Sequence, residues 1–277
     1  MEHNQGTFEG AGGMQLFYQR WCPQGEPKAV LAIVHGLGEH SGRYMNLVQY
    51  LVPRGYAVYG FDHRGHGRSP GRGCHIISWE EFRRDVKAFL ETVQSLEPSR
   101  PVFLYGHSMG SLIVIDYVIR HPQGLQGAIF SGAPIEPIGV AGPAKKMLAR
   151  LLSRFWPGFT FTVDMDSEAM SRDPAAVQAY NDDPLNHKLG SARWGTEALE
   201  TLGWVIGHAR DVRLPVLMVH GGGDRINTAS GSQKFFDAID YPDKELIIYP
   251  GSYHEVHNDL DHALMARDLE HWLEEHF

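Results

Sequence analysis

The sequence predicts an α/β fold built on a central, mostly parallel sheet. Two observations carry this: short apolar runs rich in Val, Ile and Tyr recur along the chain, and helical patterns separate them. The first run, AVLAIVHG from Ala29, is apolar at successive positions and so needs cover on both faces, as a strand inside a parallel sheet does. A helical pattern over Arg43 to Val52 leads to the second run, YAVYGFD from Tyr56. A helix over Trp79 to Leu96 precedes PVFLYGHS from Pro101, and one over Ser108 to Arg120 precedes LQGAIFSGAP from Leu125. The runs LPVLMVHGGGD from Leu214 and ELIIYPGSYH from Glu245 read in the same way, buried on both faces, and a helix over Leu260 to His276 closes the chain.

The alternation stops once. Between residues 136 and 207, Pro, Gly and apolar helical stretches replace the strand pattern, so the expected organisation is a core of residues 1–135 and 208–277 with an inserted helical cap at 136–207. Inside the cap, KKMLARLLSRFW places Met147, Leu148, Leu151, Leu152, Phe155 and Trp156 on one helical face, with Lys145, Lys146, Arg150 and Arg154 largely opposite. Two readings of that stripe stand. It packs the cap on the core, or it meets an acyl chain or a lipid surface while its basic rim meets anionic headgroups.

Composition narrows the class of function. The chain of 277 residues, 43% hydrophobic and 21% charged, is long enough for a sizeable core. Its net charge of −8 and the lack of any basic run argue against a nucleic-acid partner. Cys22 and Cys74 lie far apart without metal-ligand spacing, so no disulfide framework and no Cys-based zinc site is expected. The N-terminal stretch lacks a basic start followed by an apolar run, and no window approaches the length of a membrane span. A cytoplasmic location, peripheral to membranes at most, is the expectation.

Chemistry concentrates where the run PVFLYG meets the helix SLIVIDYVIR. There Gly106, His107, Ser108, Met109 and Gly110 spell G-x-S-x-G at a strand-to-helix turn, where bulky residues two places either side of the serine would clash. Free N–H groups at the helix start favour negative charge, so the Met109 N–H is a candidate oxyanion donor, and Leu37, in the loop VHGLGEH, is the candidate for a second. A serine near neutral pH needs a base, and the base needs an acid to hold its tautomer. Asp224 and His254 each follow a predicted strand at its C-terminal end, and the chain order Ser, Asp, His is that of α/β-hydrolases.

The bland readings stand beside these. Ser108 is alternatively a helix N-cap, and Asp224 a turn carboxylate. Asp211 competes for the acid but precedes its strand; His257 competes for the base three residues after His254. The two histidines resemble a fragment of a metal site, yet no second cluster of ligands accompanies them, so no metal and no cofactor is expected. For DHRGHGRS, from Asp62, the favoured reading is structural: glycines shape the crossing and the charges are satisfied locally.

Together the stretches HGLGEHSGRY (from His35), DHRGHGRSPG (from Asp62), GHSMGS (from Gly106), AYNDDPL (from Ala179), HGGGDRI (from His220) and YPGSYHEVHND (from Tyr249) resemble the monoacylglycerol lipase family of serine hydrolases and its lysophospholipase-like relatives. The resemblance spans nearly the whole chain. It implies an α/β-hydrolase fold with a lid, a small lipid ester as substrate, Ser108, Asp224 and His254 as triad, and Leu37 and Met109 as oxyanion donors. It further implies that Arg43, His107 and Tyr180 surround the glycerol headgroup. The sequence departs from the family pattern at Ser111, where a third glycine is frequent, and at Gly222 and Gly223, where bulkier or acidic residues often precede the acid. The alternatives are a broader carboxylesterase or lysophospholipase acting on other single-chain or aryl esters, and a non-catalytic ligand-binding protein on a hydrolase scaffold.

Overall fold

The computed structural model describes residues 1–139, 142–163 and 166–277, without the side chains of residues 143–146. In chain order the strands are β1 (Glu2–Glu9), β2 (Gln15–Cys22), β3 (Ala29–Val34), β4 (Tyr56–Phe61), β5 (Val102–His107), β6 (Gly127–Ser131), β7 (Thr160–Thr162), β8 (Leu189–Ser191), β9 (Val216–Gly221) and β10 (Lys244–Tyr249). The helices are α1 (Met45–Leu51), α2 (Glu80–Leu96), α3 (Met109–Arg120), α4 (Pro143–Phe155), α5 (Pro174–Asp182), α6 (Ala192–Gly207), α7 (Ala229–Ala238) and α8 (His262–Glu274).

Eight strands form one sheet in the order β1-β2-β4-β3-β5-β6-β9-β10. From β4 to β10 every pairing is parallel, while β1 and β2 form an antiparallel flap that joins β4. Alternate residues of β3 divide between the two faces, as the twofold repeat of a strand requires. Val30, Ala32 and Val34 pack with Val86 and Phe89 of α2 and Ile113 of α3, whereas Ala29, Leu31 and Ile33 pack with Leu47 and Leu51 of α1 and Leu269 and Trp272 of α8. The sheet is thus covered on both sides, which is why a central strand such as β3 is apolar at every position.

The fold departs from the sequence reading in three places. Strands β1 and β2 form no apolar run because β1 is an exposed edge strand of mostly polar residues, and pairing from Glu2 with Cys22 to Glu9 with Gln15 holds it. Strand β10 is the other edge, so Glu245 and Ile248, on opposite faces of the sheet, are both exposed there. Helix α7, rich in Ser and Gly, escapes periodicity but is capped by Thr228, whose side chain accepts from the Gly231 N–H.

Between β6 and β9 lie α4, the β7–β8 ribbon, α5 and α6. The stripe on α4 points away from the core: Met147, Leu148, Leu151, Phe155 and Trp156 are exposed, and the buried side of the helix is marked by Ser153, bonded at 2.8 Å to Thr196 of α6. Lys145 and Lys146, expected on its polar face, lie outside the described side chains. Among the described residues no helix is long and apolar enough to cross a membrane.

The charges of DHRGHGRS are satisfied locally. The buried Arg64 guanidinium donates to Asp85 at 2.7 and 2.8 Å, to Glu81 at 2.8 Å and to the Ala11 carbonyl at 3.0 Å, tying the loop after β4 to α2 and to the β1–β2 turn. Removing one member of a buried ion pair strands the other charge, at about 3–5 kcal/mol. Arg64→Ala is therefore expected to lower unfolding stability by roughly 3 kcal/mol in a denaturant titration; a loss of only a few tenths would show that the pair holds nothing together.

Candidate active site

Ser108 sits between β5 and α3 with φ 52° and ψ −119°, a conformation that L residues rarely adopt. Its surroundings leave little choice. A β-carbon on Gly106 would lie 2.5 Å from the Gly110 carbonyl oxygen, and one on Gly110 would lie 2.0 Å from that of Val34. The turn is sharp because α3 starts directly against the end of β3, and only glycine fits both contacts. Ser111, two residues into α3, needs no such freedom and is buried with its hydroxyl unpartnered among the described residues.

The loop after β9 carries Asp224. Its Oδ1 accepts from the N–H groups of Ile226 and Asn227 at 2.7 and 3.0 Å, and its Oδ2 accepts from His254 Nδ1 at 2.7 Å. The loop after β10 carries His254, and the two loops touch so closely that a β-carbon on Gly221 would lie 2.1 Å from the Tyr253 carbonyl oxygen and one on Gly223 2.9 Å from that of Gly251. Glycine at 223 is thus the shape this junction demands. Because Nδ1 faces a carboxylate it carries the proton, leaving Nε2 as the basic nitrogen.

Burial alone would push the Asp224 carboxyl up, but His254 and His220 beside it hold it well below the usual carboxylate range. Burial depresses the His254 imidazolium, yet the Asp224 charge and hydrogen bond outweigh it and leave the pKa above the ordinary 6.5. His257, the competitor, has neither ring nitrogen bonded among the described residues, stacks on Tyr44 at 4.7 Å, and is depressed by burial to about 3. The acid is thus paired with His254. Asp211 lies in a short helical turn before β9, at the opposite end of that strand from Asp224.

Ser108 and His254 line one cavity of about 30 Å³ together with Gly36, Leu37, Glu39, His107, Met170, Tyr180, Ile226 and Glu255. Met109 opens α3 behind it, its sulfur 3.3 Å from Trp194 Nε1 of α6. His107 is buried, Nδ1 3.3 Å from Ser131 Oγ and its ring 4.8 Å from that of His254, so burial and the neighbouring histidines push its pKa well down. Tyr180, from α5, is buried with its hydroxyl unpartnered among the described residues and pushed up to about 12 by burial.

Arg43 is placed differently. Its guanidinium is clamped by Glu255 at 2.6 and 2.8 Å and by Glu39 at 3.3 Å, lies over the Tyr180 ring at 4.7 Å, and lines a separate cavity of about 300 Å³. Glu39 in turn accepts from the Gly36 N–H at 2.6 Å and the Tyr44 hydroxyl at 2.8 Å. Against burial, the bidentate Arg43 contact holds Glu255 down to about 2, while burial pushes Glu39 up. Sequence reasoning missed both carboxylates. The only available signal was Glu39 four residues before Arg43, a spacing that an exposed surface pair shares.

Among the described residues no group of three or more His, Cys, Asp or Glu is placed to hold a metal ion, and both cysteines are free and buried. The arrangement is one for nucleophilic attack by an oxygen: a strained serine beside a histidine that an ionised carboxylate orients.

Comparison with known proteins agrees with that chemistry. A family described as serine aminopeptidase, S33, matches residues 25–261. Over 271 residues the chain is 34% identical to the monoacylglycerol lipase of Mycolicibacterium smegmatis, covering 98% of this chain and 96% of that protein. It is 34% identical over 256 residues to the monoglyceride lipase of Homo sapiens, covering 90% of this chain and 83% of that one. The crystal structure of Paleococcus ferrophilus monoacylglycerol lipase superimposes with a TM-score of 0.87 at 32% identity, over 95% of this chain and all of that one.

A base that is protonated below its pKa cannot accept a proton, so the site loses its capacity as pH falls through that of His254. Titration of His254 followed by NMR is expected to show a midpoint above 6.5 in the unsubstituted protein and a lower one in Asp224→Asn. Equal midpoints in the two proteins would break the assignment of Asp224 as its partner.

Proposed function

The chain belongs to the monoacylglycerol lipase family of serine α/β-hydrolases, and we propose that it cleaves monoacylglycerols to glycerol and a free fatty acid through an acyl-enzyme on Ser108. The observation that carries this reading is the buried Asp224–His254 pair opening onto the same cavity as a strained serine, in a chain 34% identical to monoacylglycerol lipases over nearly its whole length.

His254 Nε2 takes the Ser108 hydroxyl proton as Oγ attacks the ester carbonyl carbon, and Asp224 steadies the imidazolium that forms. The N–H groups of Leu37 and Met109 hold the oxyanion. The carbon–oxygen bond to glycerol then breaks, and His254 returns its proton to the leaving oxygen. Water, deprotonated by the same imidazole, attacks the acyl carbon and releases the fatty acid, restoring the serine. The free hydroxyl of Tyr180 and the imidazole of His107 are the groups on the cavity wall suited to a glycerol headgroup. Arg43, held by two carboxylates, serves by fixing Glu39 and Glu255 around that headgroup.

A cavity of about 30 Å³ has room for about one water. An acyl chain therefore enters only when cap residues such as Met170 and Tyr180, which close it, move aside. Residues 136–207 act as that lid, and the outward face of α4 is its contact with a lipid surface: Phe155 is 77% and Trp156 64% exposed, with Arg150 and Arg154 exposed on the same helix to meet anionic headgroups.

Two measurements test the proposal. In a panel of monoacylglycerols, di- and triacylglycerols, lysophospholipids and aryl esters, monoacylglycerols are expected to give the highest kcat/KM, and Ser108→Ala to lower it by about 10³-fold or more. A higher rate on another ester class would reassign the substrate, and an active Ser108→Ala would remove the nucleophile. Replacing Phe155 and Trp156 together by Ser is expected to weaken binding to anionic phospholipid vesicles by about tenfold or more while sparing hydrolysis of a soluble ester; unchanged vesicle binding would take the lipid surface away from α4.

A further inference from the structure

Asp224 has a second histidine on it. His220, fully buried on β9, places Nε2 3.1 Å from Asp224 Oδ2, the same oxygen that His254 meets at 2.7 Å. The same Nε2 lies 3.1 Å from the Asn227 carbonyl oxygen, and Nδ1 lies 2.7 Å from Ser232 Oγ of α7. Both oxygens at Nε2 are acceptors only, so that nitrogen carries the hydrogen, and Nδ1 accepts the Ser232 hydroxyl proton. We propose that His220 is a positioning residue for hydrolysis, in which Ser232 fixes its tautomer so that Nε2–H is held between the Asn227 carbonyl and the Asp224 carboxylate.

This rests on the reading of Asp224 as the partner of His254. In that frame Oδ1 is held by two backbone N–H groups, and Oδ2 is bonded to His254 with His220 Nε2, shared with the Asn227 carbonyl, 3.1 Å away. One imidazole, His254, must gain and lose a proton; the other, His220, is locked. The locked donor has two effects. It prevents the carboxylate from rotating away when His254 shuttles its proton, and it takes up part of the carboxylate's charge, so that the imidazolium of His254 is not held too tightly to give its proton back. The groups facing the pair are His254 from the loop after β10, His107 at the end of β5, Ser232 from α7 and the Asn227 carbonyl from the acid's own loop, and the His254 ring is also faced by the Glu255 and Glu39 carboxylates. Asn227 also donates to the Gly132 carbonyl at 2.9 Å, and a β-carbon on Gly132 would meet His254 and His107 at 3.1 and 3.2 Å, so the support and the catalytic ring share one wall.

The test compares His220→Phe, His220→Gln and Asp224→Ala by the pH profile of kcat/KM on p-nitrophenyl butyrate, a soluble ester that needs no cap contact with lipid. His220→Phe is expected to lose about tenfold in kcat/KM and to move the acidic limb upward by about half a pH unit or more, because a carboxylate without its second donor binds the imidazolium more tightly. His220→Gln keeps an N–H for Asp224 and an oxygen for Ser232, and is expected to restore both. An unchanged His220→Phe, or a rate loss with an unmoved limb and no rescue by Gln, overturns the proposal. An active Asp224→Ala would instead bring down the reading of Asp224, while an inactive Asp224→Ala beside a normal His220→Phe would bring down the proposal alone. If His220→Phe does not fold, imidazole ¹⁵N shifts of the unsubstituted protein decide: a neutral Nε2–H tautomer of His220 is expected, and an Nδ1–H tautomer contradicts it.

Discussion

The close seating of α3 on the end of β3 is the constraint from which the rest of the site follows. With Gly110 lying so near the Val34 carbonyl that no β-carbon fits, the chain has no room for a relaxed turn, and Ser108 is left with a positive φ. Strain of this kind survives only where its surroundings over-determine it. Here they do: β5 is paired on both sides, by β3 and β6, and Ser108 itself donates its N–H to the Ser131 carbonyl at 2.9 Å. Once the serine is fixed there, the parallel sheet does the remaining placement, because the loops leaving β3, β5, β6, β9 and β10 all emerge at the same end. Leu37, Gly132, Asp224 and His254 converge for that topological reason.

Charge is what joins those loops to one another. Glu39, after β3, holds the Gly36 N–H with one oxygen and Arg43 with the other; Arg43 holds Glu255, next to His254; and Glu255 receives Asn258 at 3.0 Å. The Glu255 N–H donates to the Met170 carbonyl of the inserted segment at 2.8 Å, and Tyr180 of the same segment lies against Arg43. A buried guanidinium shared by two carboxylates is a poor source of net stability but a strict geometric constraint. It relates the loop of the proposed oxyanion donor to the loop of the base, and it touches the inserted segment proposed as the lid, so that segment and the site share contacts.

Much of this was legible in the residues. The buried strands announced themselves because sheet burial on both faces leaves few polar positions, and none in Ala29–Val34. Ser108 was legible because Gly106 and Gly110 have a steric reason to be glycine, and the placement of Asp224 and His254 follows from strand ends that can be counted along the chain. Less legible were the features whose cause lies far away in sequence. The β1–β2 flap is polar because it is an edge, α7 is helical because its cap and packing outweigh weak periodicity, and the α4 stripe faces outward although its pattern equally fits a core helix. Arg43 was assigned to the headgroup by family resemblance alone, and its partner Glu255, 212 residues away, left no local signal in the sequence. His220 was part of a quoted motif but gained a role only when Ser232 and Asp224 came to flank it.

In the proposed mechanism the strain, the oriented imidazole and the buried carboxylate together make Ser108 nucleophilic. Labelling with a fluorophosphonate followed by peptide mass spectrometry tests it without assuming any substrate. A stoichiometric adduct on Ser108 is expected, strongly slowed when His254 is replaced by Ala and little affected when His257 is replaced. A protein that stays unlabelled, or an adduct on another residue, would contradict it.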